Sequence, residues 1–315
     1  MAPAAASVRV MSASDTVTFY LPPQLRKQAQ RGNHNFIRKI SEVLTGAGLT
    51  VAFDGDDDQA RLRAMARPGR GLYLMSPPVN TRGLTFRRTY IYPFWHIEKA
   101  AERWNWPVTQ EAFDPQCVDA RRAANFYRFW RRRLFEDAPQ YARADGFVYV
   151  PLQGQLLRQR SFQSCSPLEM IETVLAQDKM RQVVATLHPS ETYSAEEQRA
   201  LEDLAIEEDR LMIKAAGSPR YLQNCDYIVT QNSAVGFEGY FFGKPLILFG
   251  KSDFHHIALN TAEMGAERAF EAVETHDPNY AAYLCWFLQM RAINAGRPEG
   301  KEMIRSVLRE HSWPV

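Results

Sequence analysis

Five short apolar segments in the second half of the chain constrain the fold more than any other feature. They are rich in large apolar residues, and helical patterns separate most of them. The segments are Phe147–Val150, Gln182–Thr186, Leu211–Lys214, Tyr227–Thr230 and Leu246–Phe249. Strands that are apolar throughout, rather than at alternate residues, are typical of parallel sheets covered by helices on both faces. The pattern therefore predicts an α/β, Rossmann-like domain.

The first half of the chain begins in the same way. We predict strands at Val17–Tyr20, Leu49–Phe53 and Leu72–Met75, and a helix at about Asn35–Thr45. Beyond Met75 the sequence becomes aromatic and irregular. The start of the chain thus predicts a second Rossmann-like domain.

Domain boundaries follow from these patterns. Residues 1–14 are small and weakly polar, and we predict a disordered leader there. Residues 15–145 then form the amino-terminal domain and residues 146–276 the carboxyl-terminal Rossmann-like domain. Asp277-Pro278 is read as a helix cap with proline at the first helical position, so residues 277–315 are predicted to be helices. The last helix could cross back onto the first domain.

Composition excludes several classes of protein. The formal charge of the 315-residue chain is only +2, which argues against a general nucleic-acid-binding protein. The four cysteines are widely spaced and form no CxxC pair, as expected of reduced thiols in a cytoplasmic protein. No apolar segment of ~20 residues is present to span a membrane. We therefore predict a cytoplasmic protein.

A polar segment between two predicted strands indicates a binding site. Gln231–Glu238 follows the strand that ends at Thr230, and a helix is predicted over Val235–Phe242. Asn232 and Ser233 then lie where the first N–H groups of a helix have no partner within it. Such a helix start binds anions.

A histidine follows another predicted strand. His188 comes directly after the strand Gln182–Thr186 and Leu187, and Pro189 holds it in an extended conformation. Its position at the carboxyl edge of a parallel sheet would bring it to the same crevice as Ser233. The alternative is a capping or core-edge residue without a functional role.

These residues carry a resemblance to a known family. The order Val150–Gln153, then Leu187–Pro189, then Gln231–Glu238 with Gly243–Pro245 resembles the capsule polysaccharide biosynthesis family. That family contains bacterial glycosyltransferases of GT-B architecture, several of which use CMP-Kdo. The resemblance implies two Rossmann-like domains facing a cleft, with the acceptor bound by residues 15–145 and the nucleotide sugar by residues 146–276.

The resemblance also implies roles for individual residues. It implies that His188, Asn232 and Ser233 contact the donor phosphate, and that Gln153 and Gln231 belong to the same donor site. The expected reaction moves a sugar, Kdo or a related acidic one, from a nucleotide donor to a surface polysaccharide or glycolipid. A CMP-sugar is the favoured donor, as a substrate, and neither a cofactor nor a metal is expected.

One departure from the family keeps a second hypothesis open. Members that transfer Kdo usually carry an acidic residue shortly after the glutamine of the first strand, whereas Gln153 is followed by Gly154–Gln159 without a carboxylate. The alternative is a catalytically silent subunit that binds sugar nucleotide or polysaccharide for a partner transferase. A serine hydrolase is disfavoured because the chain has no G-x-S-x-G motif.

Other candidate residues have two readings each. Glu238 either complements the dipole of its helix or accepts the hydroxyls of the donor ribose. His34 either lies beside the cap of the following helix, formed by Asn33 or Asn35, or acts as general base on an acceptor hydroxyl. His96 and Glu98, in an aromatic segment, are reserve candidates for that base.

Two motifs suggest metals, and one helix suggests a membrane. Asp54–Asp58 contains the letters DxD, but a solvated turn is the preferred reading. His255 and His256 are adjacent, and because adjacent side chains diverge we predict no metal site there. The helix Arg121–Phe135 is read as packing through Phe126, Phe129, Trp130 and Leu134. Alternatively its arginines lie on an anionic membrane, giving peripheral association with the inner membrane.

Overall fold

The computed structural model describes residues 13–315. The described chain divides into two compact units. Residues 13–106 and 291–315 form the first unit, and residues 107–290 form the second. The predicted leader falls mostly on residues 1–12, which lie outside the described residues.

Twelve strands, numbered in chain order, build one sheet in each unit. The strands of the first unit are β1 Thr16–Tyr20, β2 Thr50–Asp54, β3 Arg70–Leu74, β4 Leu84–Arg88, β5 Phe94–Glu98 and β12 Ile293–Asn294. The strands of the second unit are β6 Phe147–Pro151, β7 Gln182–Thr186, β8 Leu211–Lys214, β9 Tyr227–Thr230, β10 Leu246–Leu248 and β11 Leu259–Asn260.

The α-helices are numbered in the same way. They are α1 Pro23–Gln30, α2 Asn35–Gly46, α3 Asp58–Ala66, α4 Pro107–Gln110, α5 Ala120–Phe135, α6 Pro167–Gln177, α7 Ala195–Glu207, α8 Ser218–Asn224, α9 Ala234–Gly239, α10 Thr261–Met264, α11 Ala266–Val273, α12 Tyr280–Leu284 and α13 Gly300–Glu310. A π-helical segment, Cys285–Met290, continues α12. Among residues 13–315, no helix is both long and apolar enough to cross a membrane.

The sheet of the first unit has the order β2-β1-β3-β4-β5-β12. Strands β1 to β4 are parallel, while β5 runs antiparallel to β4 and β12 antiparallel to β5. Helix α2 packs on this sheet because its apolar residues, from Phe36 and Ile37 to Leu44, recur at helical spacing. Ile304 and Leu308 of α13 complete the same core.

The sheet of the second unit has the order β11-β10-β9-β6-β7-β8 and is parallel throughout. Its core joins the strand residues to the apolar faces of α6 and α11. Two of its helices begin with capping boxes, formed by Ser166 and Glu169 at α6 and by Ser194 and Glu197 at α7. The prediction of two Rossmann-like α/β units is thus confirmed.

The aromatic segment after Met75 is regular, contrary to the sequence-based expectation. It contains β4 and β5, and most residues of β5, including Phe94 and Trp95, are buried. Because both faces of β5 are covered, the strand shows no alternation of apolar and polar residues.

The division into units differs from the boundary we placed at residue 145. Helix α5 groups with the second unit, where the Tyr127 hydroxyl donates to the Tyr240 carbonyl over 2.9 Å. The Phe135 ring lies 4.8 Å from that of Phe242. These long-range contacts cannot be read from local sequence patterns.

The end of the chain also differs in detail from the prediction. Helix α12 begins at Tyr280, and its cap is Asn279, whose side chain accepts the Ala282 N–H, rather than Asp277. Residues up to Met290 belong to the second unit, and Arg291–Val315 return to the first with a strand as well as a helix. Asn279 displaces the predicted cap because Pro278 precedes the helix instead of starting it.

Candidate functional site

The carboxyl edge of the second sheet has the geometry of a ligand-binding crevice. From β6 the chain adds β7 and β8 on one side, and then β9, β10 and β11 on the other. The strand order therefore reverses between β6 and β9. In open α/β sheets, ligands bind outside the carboxyl ends of the strands at such a switch point.

The segment after β9 lies at this switch point. Ser233 caps α9, and its hydroxyl oxygen accepts the Val235 N–H over 3.3 Å. The hydroxyl proton remains available to donate to a ligand. The helix is shorter than predicted, because residues Tyr240–Phe242 continue as a 3-10 turn.

Gln231 and Asn232 are buried and anchor this segment to its neighbours. The Gln231 amide donates to the Cys165 carbonyl over 3.0 Å, and the Asn232 amide donates to the Lys251 carbonyl over 3.0 Å. The backbone of Gly250 approaches so closely that a Cβ atom there would lie 2.9 Å from the Gln231 carbonyl oxygen. The Gln231 Oε1 atom is buried without a hydrogen-bond partner in the described chain.

His188 lies two residues beyond the end of β7 and is exposed. The Nδ1 atom of its ring accepts the backbone N–H of Ser190 over 3.2 Å. The backbone N–H of His188 donates to the Tyr193 hydroxyl over 2.8 Å. An Nδ1 that accepts leaves the proton of the neutral ring on Nε2. The ring therefore presents a hydrogen-bond donor to solvent, as required for contact with a phosphate.

Glu238 is a largely buried carboxyl group on α9. Burial raises the pKa of Glu238 to about 7. The charge of Glu238 contributes to the raised pKa of Tyr149 of β6. The Tyr149 hydroxyl is 3.1 Å from that of Thr186 at the end of β7. The carboxyl group thus titrates close to neutral pH.

The loop after β6 runs along the same edge. Gln163 bridges to Gly250, and the Ser164 N–H donates to the Phe249 carbonyl over 2.8 Å. Gln153, at the start of the loop, has a buried Oε1 atom without a hydrogen-bond partner in residues 13–315. The loop is therefore fixed across the ends of β6 and β10.

His34 belongs to the first unit. It is itself the N-cap of α2, in place of Asn33 or Asn35, because its Nδ1 accepts the Ile37 N–H over 3.3 Å. The ring packs edge-on against Trp95, and burial lowers the pKa of His34 below its usual value. The accepting lone pair is thus occupied in this conformation.

The reserve candidates and the DxD residues have structural partners. His96 is buried, 3.4 Å from Glu98 and packed against Trp106. Asp54 is held by Arg63 and Arg67 at 3.1 and 2.9 Å, and Asp57 caps α3. These contacts match the turn reading of the DxD letters.

The histidine pair lies within the second unit. His256 contacts the Tyr283 hydroxyl at 3.1 Å and the Val108 carbonyl at 2.9 Å, and burial lowers the pKa of His256 to about 4. The neighbouring His255 contacts the Ser252 carbonyl at 2.9 Å. Across residues 13–315 no group of three or more His, Cys, Asp or Glu residues is placed to hold a metal ion.

Helix α5 presents a basic outer face. Phe126 and Trp130 are buried as predicted, but Phe129 is 58% exposed, because Tyr127 instead turns towards Tyr240. Five arginines of the same helix are exposed as well: Arg121, Arg122, Arg128, Arg132 and Arg133.

The structure brings most of the predicted site residues together. Gln153, His188, Gln231–Ser233 and Glu238 all lie on loops or the helix that follow β6, β7 and β9, whereas His34 belongs to the other unit. Sequence analysis gave no role to Arg160, in the loop after β6, whose Nε and Nη2 atoms are buried. That loop has no periodicity, so no pattern indicates which of its side chains are buried.

The chain is similar to several solved structures. KpsC of Thermosulfurimonas dismutans, a beta Kdo 2,7 transferase, is 15% identical, with a TM-score of 0.50 over 94% of this chain and 99% of that chain. The UDP-GlcNAc 2-epimerase of Methanocaldococcus jannaschii is 11% identical, with a TM-score of 0.39 over 94% and 99%. The wall teichoic acid polymerase TagF is 10% identical, with a TM-score of 0.31 over 96% and 90%.

Comparison with curated proteins gave no match. The likeness to KpsC shows that the two chains share a fold. In sequence, the family model described as capsule polysaccharide biosynthesis protein matches residues 116–297, a span that contains every element of the second unit's carboxyl edge. That match extends over more than half of the chain. The chain therefore belongs to the capsule polysaccharide biosynthesis protein family.

Proposed function

We propose that this protein is a glycosyltransferase that moves a sugar from a nucleotide donor to a capsule polysaccharide or a glycolipid precursor. The observation that carries the proposal is the switch-point edge of the second sheet. His188 and Ser233 follow β7 and β9, the strands on either side of β6, and each retains a hydrogen-bond donor for a ligand. Family membership supports the same reaction class.

In the proposed reaction the donor phosphate leaves as an acceptor hydroxyl attacks the anomeric carbon. The bond from that carbon to the phosphate oxygen breaks, and negative charge develops on the phosphate. The His188 Nε2–H and the Ser233 hydroxyl would stabilise this charge, which requires no metal. Gln153, Gln231 and Asn232 complete the proposed donor site.

The acceptor is proposed to bind the first unit, with His34 as the general base that takes its proton. The Nδ1 atom of His34 caps α2, so the base would need its Nε2 lone pair and the opposite tautomer. The capping contact and the catalytic role therefore exclude each other at any one moment. Variants that separate them are described in the Discussion.

CMP is the proposed nucleotide, and Kdo or a related acidic sugar the proposed sugar. The activity of KpsC, whose fold this chain shares, supports that choice. Thermal unfolding with CMP, UDP, GDP and dTDP is the direct test. A ligand that binds only the folded state at a hundredfold excess over its dissociation constant stabilises by ~2.7 kcal/mol. We expect CMP alone to give such a shift, and no shift with any of the four would overturn the transferase.

Turnover separates the transferase from the silent binding subunit. Transferases hydrolyse their donor slowly without an acceptor, so purified protein should release CMP from a CMP-sugar. Stoichiometric binding without any release would instead assign the protein as a binding subunit.

The basic face of α5 supports a proposal of peripheral association with the inner membrane. Arginines around an exposed phenylalanine bind anionic lipid surfaces. We expect the protein to sediment with phosphatidylglycerol vesicles at low salt but not with phosphatidylcholine vesicles. A Phe129→Ser, Arg132→Glu double variant should remain in the supernatant. Equal sedimentation of parent and double variant would rule out this surface.

A further inference from the structure

The loop between β6 and α6 contains hydrogen-bond donors that have no acceptor. Within the described residues, the Nε and Nη2 atoms of Arg160 and the Nε2 atom of Gln163 are buried and make no hydrogen bond. Buried donors without partners destabilise a fold, and an unpaired buried cation does so most. Their retention at the edge of a binding crevice points to a ligand.

The orientation of the Gln163 amide is fixed by its surroundings. Its Oε1 accepts the Arg160 N–H over 2.7 Å, so its NH2 group must be the end without a partner. The residue is only 5% exposed. The side-chain donor of Gln163 thus lies beside the backbone of Arg160.

The guanidinium of Arg160 is also held in place. It lies 4.8 Å above the centre of the Phe162 ring. Nε and Nη2 form the edge of a guanidinium that donates two parallel N–H bonds. This edge matches the spacing of two oxygens of one phosphate or carboxylate.

A carboxylate from the neighbouring loop, that of Glu191, lies close enough to Arg160 to attract it. Glu191 follows the His188 turn, and its carboxylate packs on Gly154 so closely that a side chain there would collide with it. It attracts Arg160 electrostatically but makes no hydrogen bond to it. The Glu197 side chain accepts the Leu156 N–H and ties the two loops together.

We propose that the Nε and Nη2 edge of Arg160, with the Gln163 amide, binds an anionic group of the nucleotide sugar, and that Glu191 covers this site until the ligand displaces it. The inference rests on the proposed function. The anionic group is either the donor phosphate or a carboxylate on the sugar. Glu191 is exposed and can leave its position without breaking a hydrogen bond of its side chain.

Three variants test the proposal by calorimetry. Arg160→Met keeps the length of the side chain but removes the two donors, and Arg160→Lys keeps the charge without the paired edge. Glu191→Gln removes the negative charge of the carboxylate that covers the site. It is the control with the opposite expected effect on binding. Because the buried Nε and Nη2 donors of Arg160 have no acceptor within the described residues, we expect Arg160→Met to unfold at the same temperature as the parent or higher. A purely structural arginine predicts the reverse.

The probes are CMP and CMP-N-acetylneuraminate, whose sugar carries a carboxylate. If Arg160 binds phosphate, both Arg160 variants should bind CMP about 10- to 100-fold more weakly. If it binds the sugar carboxylate, CMP affinity should stay constant and only the affinity for the CMP-sugar should fall. Glu191→Gln should raise the affected affinity. Equal affinities for both probes in parent and variants overturn the proposal.

Inorganic phosphate keeps this test separate from the proposed function. If the parent binds neither nucleotide, the transferase proposal fails while the anion site is still measurable. Tighter phosphate binding by Glu191→Gln than by Arg160→Met would then support the site. Equal phosphate binding by both would overturn it.

Discussion

The carboxyl edges of the two sheets carry similar side chains in different surroundings. In the first unit, Asp54 at the end of β2 pairs with two arginines, and Gly55 and these arginines together lower the pKa of Asp54 despite its burial. In the second unit, Glu238 has no charged partner among residues 13–315, and burial raises its pKa to about 7.

The histidines of the two edges differ in the same way. Each accepts a backbone N–H at Nδ1, but His34 is half-buried and caps a twelve-residue helix, whereas His188 is exposed in a short turn. Asp54 and His34 at the first edge are thus held by protein groups, whereas His188 and Ser233 at the second edge keep hydrogen-bond donors for a ligand. This difference supports our proposal that the nucleotide sugar binds at the second edge.

Ser233→Asp should show the largest effect on the second edge. Aspartate is a good N-cap, so the fold should remain stable, but its charge would stand where the donor phosphate must lie. We expect nucleotide affinity to fall by more than about 100-fold, against about 10- to 100-fold for Ser233→Ala, which removes one hydrogen bond to a charged group. Calorimetric titration with CMP measures both. An aspartate variant that binds as tightly as the parent would move the phosphate site elsewhere.

Two substitutions separate the roles of the two ring nitrogens of His188. His188→Asn can accept the Ser190 N–H as Nδ1 does but places no donor at Nε2, while His188→Gln places an amide near Nε2. We expect the asparagine variant to fold normally and bind CMP about 10- to 100-fold more weakly, with the glutamine variant between it and the parent. Thermal unfolding provides the control. A variant that unfolds easily yet binds normally would make His188 structural.

Glu238→Gln should change how stability depends on pH. Between the ordinary pKa of 4.5 and the folded value of about 7, the folded protein binds this proton more tightly than the unfolded chain. The free energy of unfolding of the parent should therefore fall as pH rises through that range. The glutamine variant does not bind this proton. Its free energy of unfolding, relative to that of the parent, should therefore rise by ~1–3 kcal/mol between pH 4 and pH 8. Denaturant titrations at the two pH values measure the difference, and parallel curves would contradict it.

The ribose reading of Glu238 gives a second measurement. If the ionised carboxylate accepts the ribose hydroxyls, CMP affinity of the parent should rise with pH through about 7. That rise should be absent in Glu238→Gln, and weaker for dCMP, which has only one of the two hydroxyls. The same rise in parent and variant would leave the carboxylate with no ligand role.

His34 should show the smallest effect, on stability. His34→Ala removes the cap of α2 and should cost ~1 kcal/mol, whereas His34→Asn keeps a capping oxygen and should restore it. Urea unfolding measures both variants. Turnover tests the role of His34 as general base. Both variants lose the base, whereas only the alanine variant loses the cap. An asparagine variant with normal turnover would remove His34 from the chemistry and leave the first edge purely structural.

Sequence patterns identified the second unit well because its strands are continuous apolar runs between capped helices. The bounds of β7, β8 and β9 coincide with the prediction, and the segment after β9 lies where expected. Parallel strands in a buried sheet leave this strong local signal.

The failures concern features that depend on distant contacts. The unit that α5 joins is decided by Tyr240 and Phe242, more than a hundred residues later along the chain. Arg160 lies in a loop without periodicity, and it is distinguished by the lack of acceptors for its Nε and Nη2 atoms within residues 13–315. Neither property is encoded within a short window of residues.

The return of Arg291–Val315 to the first unit has a consequence for synthesis on the ribosome. All strands and helices of the second unit precede residue 291, so this unit can fold as soon as it emerges. The first unit emerges earlier but lacks β12 and the residues Ile304 and Leu308, which cover α2. The core of the first unit thus stays incomplete while the second unit folds. The first unit, although most of it is synthesised before the second, completes its fold after it.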